Sequence, residues 1–73
     1  MRKYIYEVAS YEFSDDEVFG GAWREAKAKA KETGSGIGRL VVEDGDIIRR
    51  EFYTKGGCFL PMEYYSEDKL AKF

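Results

Sequence analysis

The residues able to carry chemistry are few, and their types remove most common reactions. The chain has no histidine. No Ser-His or Cys-His pair can form, and the side chain that most often serves as general acid or base is missing. Cys58 is the single thiol. A reactive thiol needs a lowered pKa, and Lys55, three residues earlier, is a cation placed to lower it. The simpler reading makes Cys58 a small buried apolar residue in an edge strand. One thiol without imidazole does not complete a structural zinc site. No metal and no cofactor are expected. Paired carboxylates stand at Asp15/Asp16 and Asp44/Asp46. The first pair suits the positive end of a helix dipole and the second a tight turn. Gly34-Ser35-Gly36-Ile37-Gly38 has the glycine content of a phosphate loop. Such loops lead from a strand into a helix N-terminus, whereas these glycines follow a helix C-terminus, where the dipole repels an anion. The chain is therefore read as a non-enzyme. An enzymatic reading would have to use Cys58, Glu63 or a tyrosine.

Two cationic arrangements are better suited to binding. Gly20, Arg24, Lys27 and Lys31 are spaced i, i+4, i+7, i+11, one stripe of a helix beside its apolar face. Lys27 and Lys31 repel mildly at i,i+4, while Glu25 and Lys29 make the favourable pair nearby. The stripe can meet phosphates or an acidic partner, or be an ordinary solvated face. The second arrangement is Arg39, Arg49 and Tyr53, expected on an outer sheet face. Arginine with an aromatic ring is the mixture that neutralises and stacks single-stranded nucleic acid. No recognised nucleic-acid motif accompanies it. Val41, Ile47 and Ile5 are placed on that face and call for cover by the C-terminal aromatics Phe59, Tyr64, Tyr65 and Phe73, or by a second copy of the chain.

These side chains need a frame. Residues 3–13 are rich in Tyr, Ile, Val and Phe and read as one strand. Ser14-Asp15-Asp16-Glu17 has the form of a capping box, with Phe13 and Val18 as its hydrophobic staple. The pattern predicts a helix over 15–33, closed by Gly34 in a left-handed cap. Its buried face is Phe19, Ala22, Trp23, Ala26 and Ala30. Gly20-Gly21 conflicts with a helix interior, so either the helix packs closely there or it starts near Gly21. Segments 37–43 and 46–54 flank Asp44-Gly45, a hairpin turn. An odd-length loop would gather Leu40, Val42, Ile48 and Phe52 as the core face. Arg39, Val41, Ile47, Arg49, Glu51 and Tyr53 would then lie outside. Cys58-Phe59-Leu60 reads as an edge strand ended by Pro61, and Ser66 as the cap of a final helix over 67–73.

A chain of 73 residues supports one domain. The expected fold is α+β, a two-layer sandwich in the order β-α-β-β(-β)-α. It has a mainly antiparallel sheet of three or four strands on one long helix. Small cores rarely yield more than ~3–5 kcal/mol, and this one lacks disulfide and metal. Six tyrosines, five phenylalanines and one tryptophan supply the remaining apolar area. The net charge of −2 does not resemble the strong positive excess of a general nucleic-acid binder. No signal peptide and no membrane-length apolar run appear, so a cytoplasmic protein is expected. These features point to a small interaction or regulatory protein whose partner is another protein, with homodimerisation a second expectation. The alternative is a single-stranded RNA or DNA binder using Arg24, Lys27, Lys31, Arg39, Arg49 and Tyr53.

Overall fold

The first apolar run makes two strands rather than one. The computed structural model describes residues 1–73 and divides the run into β1 (Arg2–Val8) and β2 (Tyr11–Asp15). The turn between them falls at Ala9-Ser10, with Ala9 at a φ of 53°. Alanine rarely occupies this left-handed region and a single serine is a weak turn signal, which is why the sequence does not mark the hairpin. The side chains fix the register: Tyr6 lies opposite Phe13 and Val8 opposite Tyr11. After α1 (Gly21–Thr33) come β3 (Gly38–Glu43), β4 (Asp46–Tyr53), β5 (Phe59–Pro61) and one 3-10 turn, Met62–Tyr64. The order across the sheet is β2-β1-β3-β4-β5, antiparallel at every step. The α+β architecture with one helix against the sheet is as expected. The strand count is five instead of three or four because of the extra hairpin.

That hairpin also moves the start of the helix. Ser14 and Asp15 are held in β2 by pairing with Ile5 and Tyr4, so the predicted capping box does not form. The chain crosses 16–20 as a loop, tied by a hydrogen bond that the Tyr6 hydroxyl donates to the Val18 carbonyl. The helix begins at Gly21, with Gly20 as N-cap. Glycine offers no capping side chain, and Asp15 reaches over instead. Its two carboxylate oxygens accept from the Glu17 and Ala22 N–H groups, each at 3.2 Å. Gly20 is needed for this: a Cβ there would sit 2.6 Å from Asp15 Oδ2. The helix stops at Gly34 in the left-handed conformation, φ 72°, as its sequence requires.

These two hydrogen bonds hold the Asp15 carboxyl below its ordinary value of 3.8. A depressed carboxyl contributes stability above its unfolded pKa and loses it as pH falls through the folded one. Asp15→Ala should therefore lower the melting temperature by several degrees at neutral pH. The gap from wild type should close in strong acid, and circular dichroism melts at the two pH values check this.

Asp44-Gly45 makes a two-residue turn with both φ values positive, 51° and 87°. An odd-length loop was expected. A bulge between Val41 and Val42 gives the same parity beyond it, because the extra residue Ile48 does what a third loop residue would have done. Leu40 thus opposes Arg50 and Val41 opposes Arg49, while Ile47 pairs with Val42 and leaves the Arg49 face.

The helix chooses the other side of the sheet from the one expected. The core cluster is Tyr6, Val8, Ala22, Trp23, Ala26, Ala30 and Ile37, with Tyr4, Phe13, Tyr53, Phe59 and Phe73 packed against it. Leu40, Val42 and Ile48 form a more aliphatic face, but the helix brings only alanines and Trp23. The large ring finds its partners among Tyr6, Tyr53 and Phe59 at centroid distances of 4.8–5.5 Å. Phe19, expected as an anchor, touches the Trp23 edge and stays 58% exposed. The final helix over 67–73 is also absent. Ser66 caps one turn, accepting from Asp68 N–H, and then Leu70 pairs with Thr54 beside the sheet. Leu70 packs so tightly on Gly36 that a Cβ there would lie 2.7 Å from it. No helix is long and apolar enough to cross a membrane.

Candidate functional site

The face of the sheet away from α1 is the candidate. Directly opposed residues on neighbouring strands share a face, so the register lays it out in rows. Lys3, Val42 and Ile47 form the first; Ser14, Ile5, Leu40 and Arg50 the second; Glu12, Glu7, Gly38, Phe52 and Leu60 the third. The chain covers one corner itself. Tyr65 meets Phe52 edge-on at 5.2 Å, leaving Phe52 2% exposed. The rest is open. Ile47, Ile48 and Met62 are 47%, 45% and 44% exposed, and they line a shallow groove of about 440 Å³ with Arg49, Arg50, Pro61 and Glu63, reaching over to the helix side at Arg49 and Pro61.

The charges on this face have no partners within the chain. Lys3, Glu7, Glu12 and Arg50 belong to no ion pair, and at the groove only Arg49 does, with Glu51. Basic residues occupy the first two rows and acidic ones the third.

The six residues proposed from the sequence are scattered. Arg39 lies on the helix side, its side chain only 10% exposed, and meets the buried Glu51 at 2.8 Å. Arg49 reaches the other Glu51 oxygen at 3.2 Å from a more exposed position. Tyr53 stacks on Phe73 and packs against Trp23. The three do share a face, but the face is the helix side, so the outer platform expected from them is corrected. On the helix, Arg24 and Lys31 are exposed, Lys27 lies over the Trp23 ring at 5.6 Å, and none of them is ion-paired. The stripe stands apart from the arginines of the sheet.

No protein-family model, curated protein or solved structure matches the chain. The site must therefore be read from its own chemistry.

The groups that could carry reactions do not gather on this face. Cys58 is exposed instead of buried in an edge strand, and its sulfur lies 3.5 Å from the Thr54 hydroxyl. No group of His, Cys, Asp and Glu gathers to hold a metal ion. Burial pushes the Tyr6 hydroxyl up, partly countered by Arg39 beside it, but that hydroxyl is engaged with the Val18 carbonyl and sealed under the loop. What remains is an open, largely aliphatic sheet surface with isolated charges at its ends.

Sequence reading placed Leu40 and Val42 in the core instead of at the site, and set Ile5 with Val41 where it in fact opposes Leu40. It missed Met62, with Lys3 and Glu7 at the rim. The signal that could have found them was the clustering of aromatics on the odd-numbered positions Tyr53 and Phe59. A helix whose only large buried side chain is tryptophan seeks rings, leaving the aliphatic face uncovered.

Proposed function

We propose that this protein acts by binding another protein through the open face of its sheet, as a small interaction module. The observation that carries this reading is one contiguous aliphatic surface, half-exposed at Ile47, Ile48 and Met62, beside charges that lack partners in the chain. A protein interface combines an apolar centre with a polar rim, and large exposed apolar patches mark such sites. The test is capture by immobilised protein, with Ile47→Lys/Met62→Lys as the comparison. Both side chains are half in solvent, so the melting temperature should fall by only a few degrees while capture is lost. Undiminished capture by the double variant would remove the reading.

A second reading rests on the helix stripe of Arg24, Lys27 and Lys31, three cations without ion pairs. It requires binding of labelled single-stranded RNA or DNA that weakens steeply with salt. Binding that Arg24→Glu/Lys31→Glu abolishes would favour it over the sheet face.

A further inference from the structure

The open face has the charge pattern of a surface that binds itself. Lys3 and Glu7 stand on β1 with Ile5 between them, all on the open side. At four residues apart they are separated by roughly 13 Å, too far to pair with each other. Lys3 opposes Val42 and Glu7 opposes Gly38, so neither finds an opposite charge across the β1–β3 ladder. Glu12 sits beside Glu7 in the same row and adds to the acidic end.

We infer that the partner of this face is a second copy of the chain. The two sheets pack face to face about a two-fold axis that crosses the strands near Ile5 and Leu40. This rests on the reading of the open face as a binding surface and names its occupant. An axis in that direction carries the basic end of one sheet onto the acidic end of the other. It sets Lys3 of each copy opposite Glu7 of its mate, and the pair occurs twice by symmetry. An axis along the strands would instead set acidic row against acidic row. On the axis itself Ile5 and Leu40 meet their own counterparts, forming the apolar centre. Arg50 lies in the same row and would meet its own counterpart too. This like-charge contact at the β4 end of the interface holds association to the weak, reversible range. Glu63 lines the same groove.

The dimensions suit a small, reversible dimer. Five strands at roughly 4.8 Å spacing, with about six residues each at roughly 3.3 Å rise, give a face on the order of 500 Å² in projection. Side-chain relief makes the accessible area larger. A standard interface takes about 800 Å² from each partner, so this one belongs at the lower end of the range. Aligned packing near −30° with sheets about 10 Å apart would produce four layers, helix–sheet–sheet–helix.

The test is analytical ultracentrifugation of the purified chain, with Lys3→Glu, Glu7→Lys and the double exchange Lys3→Glu/Glu7→Lys. Wild type should associate in the micromolar range. Each single reversal creates two like-charged contacts and should weaken association by about tenfold or more. The double exchange restores opposite charges at both contacts and should recover affinity to within about threefold. Melting curves at dilute concentration establish that each variant folds. A dimer indifferent to all three variants overturns the arrangement. A one-chain mass up to millimolar concentration overturns the second-copy assignment. If that monomer still captures a different protein through Ile47 and Met62, the open-face reading survives and only the occupant was wrong. If capture fails as well, both fall.

Discussion

Replacing Glu51 by alanine is expected to destabilise the fold by about 3–5 kcal/mol, as much as a core of this size holds in total. Glu51 is 4% exposed and neutralises two arginines at once, one through each carboxylate oxygen. Arg49 can turn to solvent when its partner is lost, since its side chain is more than half exposed. Arg39 cannot. Its guanidinium lies 3.8 Å from the Phe59 ring centroid and 5.3 Å from that of Tyr4. Its Nη1 is buried and already without a hydrogen-bond partner. Losing Glu51 would leave a charge confined among rings, and circular dichroism should show little folded protein at room temperature. The companion variant is Arg39→Met/Glu51→Leu. Apolar replacement of a buried pair is often neutral or stabilising, so this double variant should fold at least as well as wild type. If Glu51→Ala melts within a few degrees of wild type, water reaches the pair and the burial argument fails.

The same pair shows why the site was only partly legible in the sequence. Arg39 and Glu51 are charged residues of the kind that normally face water, and placing them outward made Leu40, Val42 and Phe52 look like the core. The pairing that lets both be buried is a contact between two strands, and the odd-length loop expected from the sequence already sets the two residues opposite each other. What no residue type announces is that the helix covers their face. Local signals fared better where one residue decides the backbone. Gly34 ended the helix, and Asp44-Gly45 turned the chain, although in two residues rather than the odd-length loop expected. They failed where tertiary contact overrode them. Ser14 had the chemistry of a cap, but pairing with Ile5 kept it in a strand, and Asp15 did the capping from across the loop. Ala9-Ser10 offered only the weak turn signal of one serine, and the chain turns there with Tyr6 set opposite Phe13. The α+β class therefore followed from periodicity, while the working face depended on which side the helix covers.

Trp23 is what makes that choice, and its removal should be the other large effect. The buried residues of α1 are Ala22, Trp23, Ala26 and Ala30, so one side chain supplies most of the helix's contact with the sheet. Its ring meets Tyr6, Tyr53 and Phe59 within 5.5 Å. Trp23→Ala should cost about 3–5 kcal/mol, read as a lowered urea midpoint by circular dichroism. Alanines cannot fill the cavity, and the loop at 16–20 prevents the helix from settling closer. Trp23→Phe keeps a ring and should retain the fold with a smaller loss. It also separates the two layers experimentally. Position 23 lies on the side of the sheet away from Ile5, Leu40 and Ile47, so a folded Trp23→Phe variant should associate with the affinity of wild type. A marked change would mean that packing under the helix sets the twist of the sheet, and through it the fit of the open face.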